Sequence, residues 1–297
     1  VIPTFIIFLR EGIEASMIVA ILLAYLDKIG QRRHFRDIFM GVGTALVLVT
    51  VGGISAYLLI SRYDGSRVQT IFETVTYLIA AVALTYMTFW MQRHSRTMSR
   101  DLQERSDAAL DGHSRLGLGV LAFTTVGREG LETMVFTLAI VFASSKQSAA
   151  PSHSRWLLAG ALSGLAVAMI IAFAIYRAGA KINLKRFFQV LGILLMVFAA
   201  GLLSDAVENL QSLGWLPFGQ QQLWSSRGAI SESSSFGDAL HQLVGYADHP
   251  SLLQFVVWLG FLVICVTAYM TTARRSRPST GAVTSPKTTE RPHSVAG

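Results

Sequence analysis

Two pentapeptides carry the residues of this chain that could do chemistry: Arg10-Glu11-Gly12-Ile13-Glu14 and Arg128-Glu129-Gly130-Leu131-Glu132. Each is embedded in a long apolar stretch, where an ionisable side chain is costly and marks a functional position by default. On a helix, residues three apart share a face, so Glu11 projects with Glu14 and Glu129 with Glu132. Four carboxylates gathered in a low dielectric need compensating positive charge. A multivalent metal ion supplies it, and oxygen donors suit a hard cation. Arg10 and Arg128 are a second source, each four residues before the last glutamate of its motif. Arg before Glu is the weaker order for a helical pair, which gives both arginines a supporting role, holding carboxylates or carbonyls when no ion is bound. Gly12 and Gly130 are read as the points where the two motif helices approach closely. One intramembrane glutamate could be a structural pair; a duplicated pentapeptide argues for a site.

These motifs must be positioned by membrane-spanning helices. The chain has 297 residues, 52% hydrophobic and 14% charged, with a mean hydropathy of +0.48; soluble domains carry roughly 25% charged residues. Seven apolar runs, at 3–27, 37–60, 70–91, 116–143, 155–177, 185–207 and 252–273, are each long enough to cross a bilayer, which takes about 20 helical residues. The first run is read as a true span and not as a cleavable leader. It is too long, lacks a basic flank and carries charge where a leader is apolar. The net charge of +7 is a topology signal and not a nucleic-acid footprint. With the N-terminus outside, the inside segments hold 18 Lys and Arg and the outside loops five, leaving only Arg10 and Arg128 within the membrane. That bias predicts N-terminus out and C-terminus in.

The motifs are offset by 118 residues and fall in the first and fourth runs. Three helices separate them, so the two units run in opposite directions. The fold class expected is therefore an all-α polytopic membrane protein of seven transmembrane helices, built as two inverted three-helix repeats plus a seventh helix, with the site at the repeat interface. The boundaries are 1–91 for the first repeat, 92–115 for a charged connector and 116–207 for the second repeat. An outer loop follows at 208–250, the seventh helix at 251–273, and a Ser/Thr/Pro-rich cytoplasmic tail at 274–297, whose composition predicts disorder. A weaker match sets Glu73 opposite Gln189. At 1.5 Å per residue, both glutamate pairs lie roughly 12–24 Å from a helix end, in the middle of a core about 30 Å thick.

Other candidates are weaker. Glu73 opens the third helix, either as a favourable charge at a helix N-terminus or as a ligand at the outer mouth. Asp205 and Glu208 close the sixth helix on the same side, followed by Glu232, Asp238, His241, Asp248 and His249. Their spacing matches no metal template, which favours a solvated surface, although acidic character there would concentrate cations. Trp90, Trp156 and Trp258, near helix ends, read as interface anchors. A single cysteine, Cys265, excludes thiolate clusters and internal disulfides. No histidine falls in a predicted hydrocarbon core, against an imidazole-rich zinc or copper site and against the Glu-x-x-His helices of di-iron enzymes.

With REGxE intact in the first and fourth helices, and FETVTYLIAAVALTYMTFWM around Glu73 in the third, the chain resembles the high-affinity, oxidase-dependent iron permeases, including the bacterial Efe-type permeases. The resemblance covers all seven helices and omits the tail. It implies iron import across the cytoplasmic (inner) membrane, with Glu11, Glu14, Glu129 and Glu132 as ion ligands and iron, Fe(II) or Fe(III), as substrate. No permanently bound cofactor is implied. Partners implied are the lipid bilayer, an extracytoplasmic oxidase or peroxidase and an iron-binding protein, and no nucleic acid. Related chains have been assigned to other heavy metals, so a transporter or channel for another cation, such as lead or manganese, is the competing reading. A membrane-embedded metalloenzyme is the third, weakened by the absence of any nucleophile–base pair within the membrane.

Overall fold

A chain in hydrocarbon must satisfy its backbone polar groups internally, so long apolar runs become helices. The computed structural model describes residues 2–63, 65–94, 102, 104–108, 117–145, 151–178, 184–226 and 235–275. Among these there are eight α-helices and no β-strand: α1 (Ile2–Lys28), α2 (Phe35–Ser61), α3 (Arg67–His94), α4 (Gly117–Ser145), α5 (Pro151–Ala178), α6 (Leu184–Ser212), α7 (Ser235–Val244) and α8 (Leu252–Arg275). A 3-10 turn, Arg32–His34, leads into α2. Threonines within the helices fold back on their own backbone; Thr74, Thr76 and Thr88 donate to the carbonyls of Thr70, Phe72 and Leu84.

All seven predicted runs are helical. Five helices, α2, α3, α5, α6 and α8, combine the length and apolarity needed to cross a membrane. The other two long helices, α1 and α4, are the ones that carry the charged motifs. Two differences matter. Helix α6 continues to Ser212, so Asp205 and Glu208 both lie on it. The stretch 208–250, expected as loop, contains α7, a short amphipathic helix. Much of the connector, the tail from residue 276, and Glu232 lie outside the described residues, as does the side chain of Asp238.

Burial is arranged for a protein whose surroundings are lipid. Apolar side chains such as Leu46, Val47 and Ile54 on α2 and Leu162, Ile170 and Phe173 on α5 are exposed, while Arg10, Glu11 and Glu14 are buried. Helix α6 is the enclosed one: 72% of its apolar span is buried, against 17% for α2, α5 and α8. The main helix pairs are α1 with α5, α2 with α4, and α3 with α6. Helix α8 lies on α6, and α1 also meets α4. Within the first three helices, neighbours in sequence hardly touch: α1 with α2 and α2 with α3 make only marginal contact. Each half of the chain therefore packs mainly against the other half.

Two apolar clusters bracket the motifs. One gathers Ile6 and Ile7 of α1 with Tyr77, Phe136, Ile140 and Phe198. The other gathers Ile18, Leu22 and Leu26 with Ile38, Leu118 and Ala122. Glu11 and Glu14 fall between them on α1, as Glu129 and Glu132 do on α4. The charged layer lies between these two apolar clusters.

Candidate metal centre

The helical register does what the spacing predicts. On α1, Arg10 Nη1 donates to Glu11 Oε1 at 2.9 Å and Arg10 Nε lies 3.2 Å from Glu14 Oε1. All three residues are at most 3% exposed. On α4, Arg128 Nε donates to Glu132 Oε1 at 3.2 Å and lies 3.6 Å from Glu129 Oε1. The motifs differ in one respect. Arg128 is half exposed, and its guanidinium lies 5.2 Å from the ring centroid of Trp90 on α3. Trp90, expected as an interface anchor, is therefore a cation–π partner of the site, a contact that sequence spacing alone does not reveal.

The α1–α4 contact joins the two motifs. Glu11, Glu14 and Glu129 each present a carboxylate oxygen within 4.8 Å of the other two. Equal spacing at that limit puts the centre about 2.8 Å from each oxygen, a few tenths of an ångström beyond Ca²⁺–oxygen distances of about 2.3–2.6 Å. Glu132 acts electrostatically on Glu11, Glu14 and Glu129 but stands outside this triad. One oxygen, Oε2, of each of the four glutamates has no hydrogen-bond partner among the described residues, and Arg10 Nη2 has none either. Fully ionised, four carboxylates against two guanidiniums would carry a net charge of −2. Ionised carboxylates only accept, so a cation is the kind of ligand this set of oxygens could hold.

The glycines serve a different contact from the one expected. A Cβ on Gly12 would come within 2.8 Å of Ala168 Cβ on α5, and one on Gly130 within 3.0 Å of Val49 on α2. They bring α1 onto α5 and α4 onto α2; α1 meets α4 through apolar residues on either side of the carboxylates.

The outer candidates are separate from the triad. Glu73 is buried and accepts from Gln69 Nε2 at 2.9 Å. Glu208 is exposed, with Gln254 Nε2 3.5 Å away. Asp205 is buried, with His241 Nε2 of α7 3.6 Å from its Oδ1. His241 and Asp248, expected on a solvated surface, are both buried. The signal that could have revealed this is the spacing of Phe236, Leu240 and Leu243, one apolar helical face within a loop otherwise rich in polar residues.

Comparison with known proteins decides the lineage. The family described as "Iron permease FTR1 family" matches residues 1–277. This chain belongs to that family. Among curated relatives, "Ferrous iron permease EfeU" of Escherichia coli O6:K15:H31 is 31% identical over 271 residues, covering 90% of this chain and 94% of the relative. The protein of the same name from Yersinia pestis is 30% identical over 261 residues, covering 87% and 89%. A relative from Escherichia coli K12, whose name carries the qualifier inactive, is as similar, at 31% over 270 residues with 89% and 94% covered. Family likeness therefore does not by itself carry activity to any member. No solved structure matches the chain.

Proposed function

We propose that this chain is an iron permease, a transporter and not an enzyme, that moves iron across a membrane through the site where the two REGxE motifs meet. The observation that carries the reading is the buried triad of Glu11, Glu14 and Glu129, one oxygen of each within 4.8 Å of the others, drawn from helices 118 residues apart in register. A dication entering the layer balances its net charge, and the carboxylates replace the water the ion sheds. Arg10 stays as standing counter-charge between ions. Relatives named for ferrous iron favour Fe(II) as the species carried.

The proposed plan is an inverted repeat with seven spans and the N-terminus outside; the helix pairing supports the exchange of the two halves. Exchanging the first three helices for the next three turns the α1–α5 pair into α4–α2 and returns α3–α6 to itself, and these are the main pairs. The glycine contacts follow the same exchange: 118 residues beyond Val49 is position 167, one short of Ala168. The inner membrane is the proposed location, with the 213–250 segment outside. An oxidase or peroxidase and an iron-binding protein are the proposed outer partners.

Uptake of radioactive iron into proteoliposomes tests the reading. Glu11→Gln, Glu14→Gln and Glu129→Gln should each abolish uptake while protein stays in the membrane fraction. Wild-type uptake in all three would sink the site. Manganese, zinc and lead as competitors separate iron from the alternative cargoes; stronger transport of lead or manganese than of iron would assign the chain to those metals.

A further inference from the structure

The carboxylate layer reaches the surface at one place, Arg128. Among the charged side chains of the two motifs, Arg10, Glu11, Glu14 and Glu129 are at most 5% exposed, whereas Glu132 is 20% and Arg128 50% exposed. The seam between α1 and α4 is filled by apolar side chains on both sides of the layer, Leu22 and Leu118 on one, Ile7 and Phe136 on the other. Among the described residues, the way from the glutamates to the surface therefore runs across α4, past Arg128.

That surface is a row on one face of α4. Val120, Thr124, Arg128 and Leu131 follow one another at helical spacing, and all four are exposed. Helix α2 packs along the adjacent row, with Gly41 close against Gly119 O and Ala45 against Gly127. Trp90 of α3 lies over the Arg128 guanidinium. Because α2 and α3 make only marginal contact with each other, α4 is left uncovered between them. The result is a groove floored by α4 with a guanidinium in it.

Lipid is a poor filling for such a groove. Arg128 stands 11 residues beyond Gly117, where α4 begins, about 16 Å along the helix. A long basic side chain at that depth ordinarily reaches back to the interface. This one is tethered the other way: its Nε lies 3.2 Å from Glu132 Oε1 and 3.6 Å from Glu129 Oε1, both further along α4. A guanidinium held at mid-membrane against hydrocarbon is costly, and charged groups there face a protein interior or a water-filled cavity.

We propose that the groove between α2 and α3 is a water-filled vestibule. It brings the aqueous phase on the Gly117 side to the edge of the carboxylate layer, with Arg128, steadied on Trp90, at its head. An ion leaving Glu129 and Glu132 regains water within about one helical turn, roughly 5 Å, and not at the membrane surface. That this phase is the cytoplasm rests on the orientation and the uptake reading above; that the groove is wet does not.

Thiol labelling of the full-length chain in membrane vesicles, in a Cys265→Ser background, tests this. A thiol in apolar surroundings does not ionise, and the thiolate is what attacks a charged methanethiosulfonate. Thr124→Cys and Leu131→Cys, in the groove, should each react from the inner side roughly tenfold or more faster than Val47→Cys. Val47 is 64% exposed on the face of α2 turned away from α4. It stands about 18 Å from the start of α2, against about 21 Å for Leu131 from the start of α4, so depth does not produce that order. Thr124 lies outside the motif, and its variant serves even where Leu131→Cys fails to fold. Reaction at both groove positions no faster than at Val47 overturns the proposal and leaves lipid on this face. Spontaneous disulfide-linked dimers of the Thr124→Cys protein, in place of labelling, assign the face to a second copy and overturn it equally. Fast labelling only from the outer side overturns the inward opening together with the proposed orientation, while iron uptake by the glutamate variants remains the separate measure of the transport reading.

Discussion

At the residue scale, the two arginines share a motif position but not an environment. Arg10 sits between two buried carboxylates, whereas Arg128 is half exposed and leans on Trp90. Removing one partner of a buried ion pair costs about 3–5 kcal/mol, because the remaining charge is stranded. Arg10→Gln should therefore lower the thermal midpoint in detergent far more than Arg128→Gln does, and added Mn²⁺ should restore part of the loss by replacing the missing charge. Equal melting of the two variants, with no effect of metal, would contradict the charge count. The motif glutamates were legible in the sequence, because charge in an apolar run is conspicuous and its repetition gives the register. His241 was not. Its burial beside Asp205 comes from a turn after α7 that meets a carboxylate 36 positions earlier, a juxtaposition that no local spacing encodes.

At the element scale, the seven apolar runs predicted the long helices to within a few residues at most ends, since about 20 apolar residues have few other ways to satisfy their backbones. What the runs could not show is which helix lies on which. The glycines illustrate this: the two motif glycines were expected to join α1 to α4, but they admit α5 and α2 instead. Gly12→Leu and Gly130→Leu should each force the paired helices apart, at about 1–3 kcal/mol as for an overpacked core, and reduce uptake with it. Gly43→Ala on α2, with open space around its added Cβ, should melt within about 0.5 kcal/mol of wild type, as surface substitutions usually do. Paired melting curves check both; a Gly43 variant as unstable as the Gly12 variant would argue against a contact-specific effect. Helix α7 escaped prediction because ten residues are too short to stand out against a polar loop.

At the scale of the whole molecule, composition and charge bias predicted a membrane protein and an orientation, and the helical architecture with its lipid-like outer surface agrees with the first. Orientation awaits labelling: in a Cys265→Ser background, a cysteine at position 2 should react with an impermeant thiol reagent from outside and one at position 290 only after permeabilisation. Reaction of both from one side would exclude an odd number of spans. Because each half packs on the other, fragments cut at the 92–115 connector should be degraded when expressed singly and should recover iron uptake when co-expressed. The same interlacing bears on how the protein is made. Helix α1 leaves the ribosome with Arg10, Glu11 and Glu14, yet α4, the first of its large partners to emerge, begins about 90 residues later and α5 later still. At roughly 5–20 residues per second, this leaves about 4–18 s in which the charged segment has no mate. The insertion machinery must shelter it for that interval, so cells lacking a membrane chaperone should lose this protein before they lose one whose neighbouring helices pair as they emerge.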